Sequence, residues 1–415
     1  MNKKFCRLCK SNKLSKFLDL GLHPPSDQFI SLDELTKPTI YYPLEVNTCL
    51  KCGFKQLSYV VDPKILYQKD YPYESSLTKS GNKHFDEFAF SCIAKFGLTN
   101  KDLVIDIGSN VGNLLTHFKK RNIKVLGIDP ATNICKIANK RKIKTINSFF
   151  NSSTCDDVLK RFNKAKIITG SNVFAHIDDL DLLFKNIKKI LKTKGVMIIE
   201  VPYFLNLIKN LEYDTVYHEH LSYITLLPLQ KFLKKIDMEI FDVEEKDIHG
   251  GSLRIFISKK NDFKKTSKFK NLLIKEKKSK LNDLKVLSKF SKNVEKNRLE
   301  LVKTITNLKK KNKSIIALSA PAKGMTLLNY CKLDKDYLDF VTEKSKLKIN
   351  RFTPGTNLKV YSDKEIIKRK PDYALILAWN FKKEIMKNNQ AFIKSGGKFI
   401  IPIPKVKIIS KVSKK

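Results

Sequence analysis

Two of the seven histidines in the chain sit one residue apart around a glutamate, in Tyr217-His218-Glu219-His220-Leu221-Ser222-Tyr223. An imidazole can ligate a metal, take a proton from a reacting group, or simply close hydrogen bonds in a loop. If the segment is extended, His218 and His220 face one way and Tyr217 and Glu219 the other, the layout of an H-x-H metal pair. No third ligand stands out nearby. A better metal site lies elsewhere. Cys6-Arg7-Leu8-Cys9 and Cys49-Leu50-Lys51-Cys52 are two CxxC pairs, and the other four of the eight cysteines are scattered singly. The two-residue gap lets both sulfurs of a pair turn toward one ion. Four thiolates then complete a closed tetrahedral zinc site, which folds a domain rather than catalysing. The competing reading is a set of reduced thiols or a redox pair.

A third constellation points to a cofactor. Asp106-Ile107-Gly108-Ser109-Asn110-Val111-Gly112 ends a strand and opens a helix, and the next strand closes on Gly127-Ile128-Asp129-Pro130. Gly108 permits a tight turn and close approach of a ligand. Asp129 is placed to accept both hydroxyls of a ribose, beyond the carboxyl ends of the strands. NAD would want GxGxxG, but Asn110 and Asn113 stand at the second and third glycine positions, so a pyrophosphate finds neither close approach nor tight helix packing. S-adenosylmethionine has no pyrophosphate and tolerates the looser loop. Asp106, just before the turn, suits its cationic methionine end. The cofactor set is therefore Asp106, Gly108, Asn110, Gly112 and Asp129, with Asn172 at the end of a later strand. A βαβ core without a ligand is the remaining alternative.

These groups need a scaffold that brings strand ends together. From residue 78 the pattern is an amphipathic helix and then strand–helix alternation: LVIDIG, KVLGID, KIITG and GVMIIEVP, each followed or preceded by an apolar-faced helix. This is the rhythm of a doubly wound parallel sheet, an α/β fold. His176 follows KIITGSN, residues 217–220 lie in the connection after GVMIIEVP, and His249 lies between the last two strands. Four of the seven histidines thus map to one rim. Residues 262–312 are lysine-rich, with Phe290, Val294, Leu301, Ile305 and Leu308 at near-helical spacing, and read as a helical connector with a solvated basic face. A second α/β unit of Rossmann type follows. In its Ala320-Pro321-Ala322-Lys323-Gly324 turn, backbone N–H groups and the Lys323 ammonium could meet a phosphate, with Arg351 in a partner loop. The alternative is a plain strand–helix turn with an exposed lysine. The expected boundaries are 1–75 for the zinc domain, 76–260 for the cofactor domain, 261–312 for the connector and 313–415 for the last unit.

The bulk numbers set limits. At 415 residues and 42% hydrophobic composition the chain can bury two or three cores. The formal charge of +40 suggests nucleic acid, but the lysines are spread along the chain rather than gathered around aromatics. That pattern speaks against a nucleic-acid partner and still favours a phosphate-bearing substrate. No apolar run reaches the roughly 18 residues of a membrane span, and the N-terminus MNKKFCRLCKS lacks the apolar stretch of a signal peptide. A soluble, cytoplasmic protein with no membrane partner is expected. The sequence sets no oligomeric state.

As far as the cofactor loop, the chain resembles the class I methyltransferases. With its flanking stretches the resemblance narrows to the nucleotide-sugar C-methyltransferases, including those acting on dTDP-4-keto-deoxysugars. The matching segments are CRLC…CLKC, YPYESS, DIGSNVG, GIDPA, NVFAHIDDL, EVPY, YDTVYHEHLSY, HGGSLRIF, APAKGMTLLNY, RFTPGTN and PDYALILAWNF, in family order over nearly the whole chain. Val111 departs from the pattern, where many relatives carry Asp. The resemblance implies a four-cysteine zinc domain, a methyltransferase domain and a C-terminal Rossmann-like domain that helps hold a nucleotide sugar. It also implies S-adenosylmethionine as donor and methylation of a 4-keto sugar at C-3, with His220 as general base. Tyr217 and His176 are then donors to the sugar or the enolate oxygen. Glu219 accepts from the sugar or orients an imidazole. Tyr71 or Tyr73 closes over the sugar, and His249 joins the substrate rim. A nucleic-acid methyltransferase would instead show an N-P-P-Y-like loop after the fourth strand, where Gly170-Ser171-Asn172-Val173 stands. A non-catalytic zinc-bearing scaffold is at odds with Asp129 and the histidine rim.

Overall fold

All five residues of Leu103–Ile107 (LVIDI) are buried, the mark of a strand covered on both faces by helices. It is the first strand, β1, of a seven-stranded sheet completed by β2 (Lys124–Asp129), β3 (Thr145–Asn147), β4 (Ala165–Ser171), β5 (Leu191–Pro202), β6 (Met238–Lys246) and β7 (Ser252–Lys259). The structure is a computed structural model that describes residues 1–67, 71–75, 79–248 and 250–410. The sheet order is β6-β7-β5-β4-β1-β2-β3. Strands β1 to β5 run parallel, and β7 lies antiparallel to both β5 and β6. The doubly wound sheet expected from the alternation is present. Its order reverses between β1 and β4, where a crevice opens at the carboxyl ends. Asp106 pairs across to Gly127 and Thr169 there, and Ser171 to Glu200. The helices that cover the sheet begin at side-chain caps where the sequence supplies them. Asn151 accepts from Thr154 N at 2.9 Å and Asp179 from Leu182 N at 2.9 Å.

The chain divides into two units. The first comprises Met1–Ser15, Asn47–Leu205 and Leu221–Asn282, and holds this sheet together with both cysteine pairs. Within it, Lys55–Leu57 pairs antiparallel with Ser222–Tyr223. The second comprises Lys16–Val46, Asn206–His220 and Asp283–Lys415. Its sheet contains β8 (Ile315–Leu318), β9 (Val341–Glu343), β10 (Val360–Ser362), β11 (Tyr373–Ile376), β12 (Lys398–Ile401) and β13 (Lys407–Ile409), in the order β10-β9-β8-β11-β12-β13. All pairs are parallel except β12 with β13. The helix Leu284–Lys309 buries Leu287, Phe290, Val294, Asn297, Leu301 and Ile305 along one face. Asn297 donates to the Pro402 carbonyl at 3.0 Å and accepts from the Tyr213 hydroxyl at 2.9 Å, so this helix packs inside the second unit. Among the described residues no helix is long and apolar enough to cross a membrane.

Candidate active site

In the first unit the loop after β1 turns through three left-handed residues, Gly108, Asn110 and Gly112, at φ +65°, +51° and +75°. A Cβ on Gly108 would lie 2.3 Å from Val173 Cγ2, so the left-handed turn and the packing of Val173 against it both require glycine. Asp129, at the end of β2, is buried, and its two oxygens accept from Asn110 N and Ala131 N, both at 2.9 Å. Burial pushes its carboxyl above the usual range despite those two bonds. Asp106 accepts from the Thr169 hydroxyl at 2.7 Å and is pushed up to about 7, by burial first and by Asp129 second. Beyond β4, Asn172 is left-handed at φ +57° and its N–H donates to the Glu200 carbonyl at 2.7 Å. Among the described residues, the Ser171 hydroxyl, the Asn172 side-chain oxygen and the Asn133 side-chain oxygen are buried without a hydrogen-bond partner. Polar atoms gathered at strand ends with no protein partner fit a ligand that carries hydroxyls, an amino group and a carboxylate. Asp106, Gly108, Asn110, Gly112, Asp129 and Asn172 are therefore brought together, and they suit S-adenosylmethionine.

The same loop holds the Tyr71–Ser75 segment. Asn110 Nδ2 donates to the Tyr73 carbonyl at 3.0 Å and Asn110 Oδ1 accepts from Ser75 N at 3.0 Å. Asn133 Nδ2 donates to the Tyr71 carbonyl at 2.9 Å. Tyr71 and Tyr73 meet edge to face, Tyr71 meets Tyr67 likewise, and Tyr67 stacks on His176 at 5.8 Å. His176 and both tyrosines thus join one aromatic run beside the cofactor loop. The sequence reading missed a charged trio here. Glu200, buried near the end of β5, meets His84 Nε2 at 2.5 Å and Arg254 at 2.9 and 2.8 Å. Burial pushes the Glu200 carboxyl up, but the bonds to His84 and the charge of Arg254 hold it below the usual range. The one signal available was a glutamate inside the otherwise apolar run GVMIIEVP.

In the second unit, Tyr217 to His220 is a turn, closed by His220 N donating to the Tyr217 carbonyl at 2.9 Å. The two histidines therefore do not share a face as they would in an extended segment. His220 Nδ1 lies 2.8 Å from the Thr215 carbonyl, which can only accept, so Nδ1 carries the hydrogen. The lone pair is then on Nε2, and the Tyr217 hydroxyl donates to it at 2.8 Å. His218 is fully buried, edge-on to Tyr42 at 5.9 Å, and burial, followed by neighbouring His23, lowers it to about 4. Glu219 is buried beside Asp27 and Lys348, and burial, reinforced by Asp27, raises its carboxyl well above the usual range. Lys348 is paired with Asp27 at 3.0 Å.

Lys323 lies in the first turn of the helix Ala322–Cys331 with its ammonium 4.6 Å from the Trp379 ring centre and 3.9 Å from Asp214. Its side chain is 14% exposed, so the exposed-lysine alternative does not hold. Asp214 is fully buried, accepts from Trp379 Nε1 at 2.7 Å, and is pushed up by burial. Neither Asp214 nor Trp379 was marked by the sequence reading. Arg351 is half-buried and donates to the Phe29 carbonyl at 3.2 Å. His249 lies outside the described residues.

The four cysteines converge. Cys6 and Cys52 sulfurs are 3.6 Å apart, Cys9 and Cys49 are 3.5 Å apart, and all four lie within 4.8 Å of one another. Tetrahedral Zn–S bonds of about 2.3 Å need sulfurs about 3.8 Å apart, so the cluster fits zinc. Each pair is a knuckle of the same build. Lys10 N donates to Cys6 O at 2.9 Å and Gly53 N to Cys49 O at 2.8 Å, and the residue after each pair is left-handed, Lys10 at +59° and Gly53 at +80°.

Known families match along the chain in three blocks: a zinc binding domain over residues 6–67, a methyltransferase domain over 82–243 and a C-methyltransferase C-terminal domain over 247–404. The C-methyltransferase NovU of Streptomyces niveus is 30% identical over 406 residues, 98% of this chain and 96% of its own. The chain belongs to the C-methyltransferase family. Among solved structures, an S-adenosylmethionine-dependent methyltransferase from Clostridium acetobutylicum is 15% identical, covers 43% of this chain and 92% of its own, and gives a TM-score of 0.35. The magnesium protoporphyrin IX methyltransferase of Synechocystis is 13% identical, covers 46% and 90%, and gives 0.34. This C-methyltransferase is S-adenosylmethionine-dependent, and its zinc binding domain carries the four-cysteine cluster.

Proposed function

We propose that the enzyme methylates C-3 of a nucleotide-linked 4-keto-deoxysugar of the dTDP type, with His220 as the general base. Carbon becomes nucleophilic only after a proton leaves, and a C-4 ketone makes the C-3 hydrogen acidic because the enolate spreads charge onto oxygen. The observation that carries the reading is the fixed tautomer of His220. The Thr215 carbonyl keeps Nδ1 protonated and leaves the basic lone pair on Nε2, beside the Tyr217 hydroxyl. On this reading Tyr217 hands its hydrogen bond from Nε2 to the enolate oxygen, and His176 is a second donor. Bound S-adenosylmethionine supplies an electrophilic methyl group. Asp106, Asp129 and Asn172 hold and orient it. Glu219, whose carboxyl burial pushes well above the usual range, accepts from the sugar or orients an imidazole. Lys323 and Arg351 meet the phosphates, Arg351 through the guanidinium N–H groups left over from its bond to the Phe29 carbonyl. Tyr71, Tyr73 and His249 complete the sugar site. The working division of the chain is 1–75, 76–260, 261–312 and 313–415, and a nucleotide-activated substrate goes with a cytoplasmic location.

The test is solvent exchange. In D2O, without donor, the enzyme should place deuterium at C-3 of a dTDP-4-keto-deoxysugar. His220→Asn should lose both exchange and methyl transfer, by about a thousandfold or more, while binding S-adenosylhomocysteine normally by calorimetry. Full exchange activity in His220→Asn would sink the base assignment. No exchange or transfer with any 4-keto sugar nucleotide, with product-cofactor binding intact, would sink the substrate class.

A further inference from the structure

We infer that Arg7, the residue after the first zinc-site cysteine, is a positioning residue that ties the metal knuckle to the segments carrying the proposed catalytic groups. Arg7 is 4% exposed, so its guanidinium needs protein partners. Its Nε donates to Asp178 Oδ1 at 3.0 Å, and its Nη1 donates to the Leu221 carbonyl at 3.0 Å and, less closely, to the Leu57 carbonyl at 3.4 Å. Asp178 lies two residues past His176, and Leu221 directly follows His220. The backbone of Arg7 is also fixed, since its N–H donates to Gln56 Oε1 at 2.8 Å and Gln56 Nε2 donates to the Phe5 carbonyl at 3.0 Å. Leu57 N donates to the same Leu221 carbonyl at 3.0 Å, and Lys55–Leu57 pairs with Ser222–Tyr223.

One face of this connection is set by the metal site. Cys6 and Cys9 flank Arg7 and Leu8, so the knuckle that zinc closes also fixes where the guanidinium starts. The other face is set by planar donors aimed at one carboxylate and two carbonyls, a geometry an ammonium cannot reproduce. A buried guanidinium that loses these acceptors has no water to replace them. Movement of the knuckle therefore drags Asp178 and Leu221 with it or leaves Arg7 unpaired. Zinc in this enzyme shapes the reaction at a distance, without touching substrate.

This inference rests on the roles proposed for His176 and His220, but its first test does not need the substrate. Hydrogen–deuterium exchange of the zinc-loaded, full-length protein should show peptides 174–180 and 219–225 exchanging about tenfold faster in Arg7→Gln than in the parent, with zinc content and the β1–β2 peptides unchanged. Arg7→Lys should fall between the two. Asp178→Asn, which leaves the knuckle intact, should loosen 174–180 in the same way. In transfer assays Arg7→Gln should lower kcat about ten- to a hundredfold with little change in donor KM. Faster exchange confined to residues 1–15 and 45–57 would overturn the inference, as would loss of zinc from Arg7→Gln, because Arg7 would then serve only the knuckle. If the parent transferred no methyl group to any 4-keto sugar nucleotide, the functional reading would fall while the exchange result still decided this one.

Discussion

His218 is a buried base, and that makes the stability of the second unit depend on pH in a calculable way. Its folded value is about 4, against about 6.5 for an unfolded histidine. Burial is the main cause and the adjacent His23 adds to it, opposed by the Pro43 and Tyr42 backbone. With the folded value depressed, the unfolded chain binds the extra proton between these two values. Stability from this group is therefore complete above about pH 6.5 and is lost as pH falls toward 4. At pH 5 an unfolded histidine is about 97% protonated and a group titrating near 4 about one tenth. Integrating from pH 7 to 5 gives a loss of about 2 kcal/mol, and about 3 kcal/mol over the whole window. Other groups titrate too. His23, also lowered to about 4 by burial, acts in the same direction. Glu212, raised by burial to about 7, acts in the opposite direction. These are common to the parent and to His218→Gln, so the comparison between the two proteins isolates His218 together with its interaction with His23.

The assay is urea unfolding at pH 7, 6 and 5, followed by fluorescence of Trp379. It is the single tryptophan of the chain, and it lies in the second unit against Asp214. The parent should lose about 2 kcal/mol more than His218→Gln between pH 7 and 5. Equal pH dependence in the two proteins would refute the buried, neutral imidazole and reopen His218 as a proton carrier. The outcome bears on mechanism, because a histidine that stays neutral down to about pH 4 is a poor proton shuttle at neutral pH, and His220 is left as the candidate base.

Gly108→Ala places a Cβ 2.3 Å from Val173 Cγ2 at φ +65°. It should cost about 2 kcal/mol of stability and weaken S-adenosylhomocysteine binding at least about tenfold, read by thermal melts and calorimetry. Cys52→Ser should release the zinc, found by metal analysis, and lower stability by several kcal/mol, on the order expected for a structural site, with a melting temperature no longer sensitive to chelator.

The sheet was legible because its strands are apolar runs closed by acids. Asp106 and Asp129 announce the carboxyl ends of β1 and β2, and the cofactor set follows from them. Short or polar elements were not legible. β3 has three residues, and the helix Ser152–Phe162 buries only Thr154, Cys155 and Val158, too sparse an apolar face to show a period. The Leu284–Lys309 face was read from Phe290, Val294, Leu301 and Ile305, but sequence cannot say that Asn297, at the centre of that face, bonds Tyr213 and Pro402. In YHEHLSY nothing marks a turn, since no glycine or proline is present. The extended pattern was the natural reading, and local bonds from His220 to Thr215 and Tyr217 decided otherwise. Arg7 was hidden for a related reason. Between two cysteines of a knuckle an arginine looks like a solvent residue, and its partners at Asp178 and Leu221 are far away in sequence.

The turn explains how one short motif gives two buried imidazoles different hydrogen-bonding surroundings. His220 N closes it on the Tyr217 carbonyl, His218 falls inside among Tyr42 and Pro43, and His220 is held by the Thr215 carbonyl. Thr215 ends the short helical turn Tyr213–Thr215, whose middle residue is the buried Asp214. A carboxylate with no exposure is costly unless paired. Trp379 gives it a hydrogen bond at 2.7 Å, and the Lys323 ammonium, at 3.9 Å, is too far for a hydrogen bond but close enough for a strong Coulomb attraction in so dry a place. Lys323 therefore has a structural duty before any substrate arrives. It neutralises the residue beside Thr215, and so steadies the carbonyl that sets the tautomer of His220. On the proposed function, a phosphate that drew the ammonium away would also disturb that carbonyl, because Asp214 would keep only its bond to Trp379.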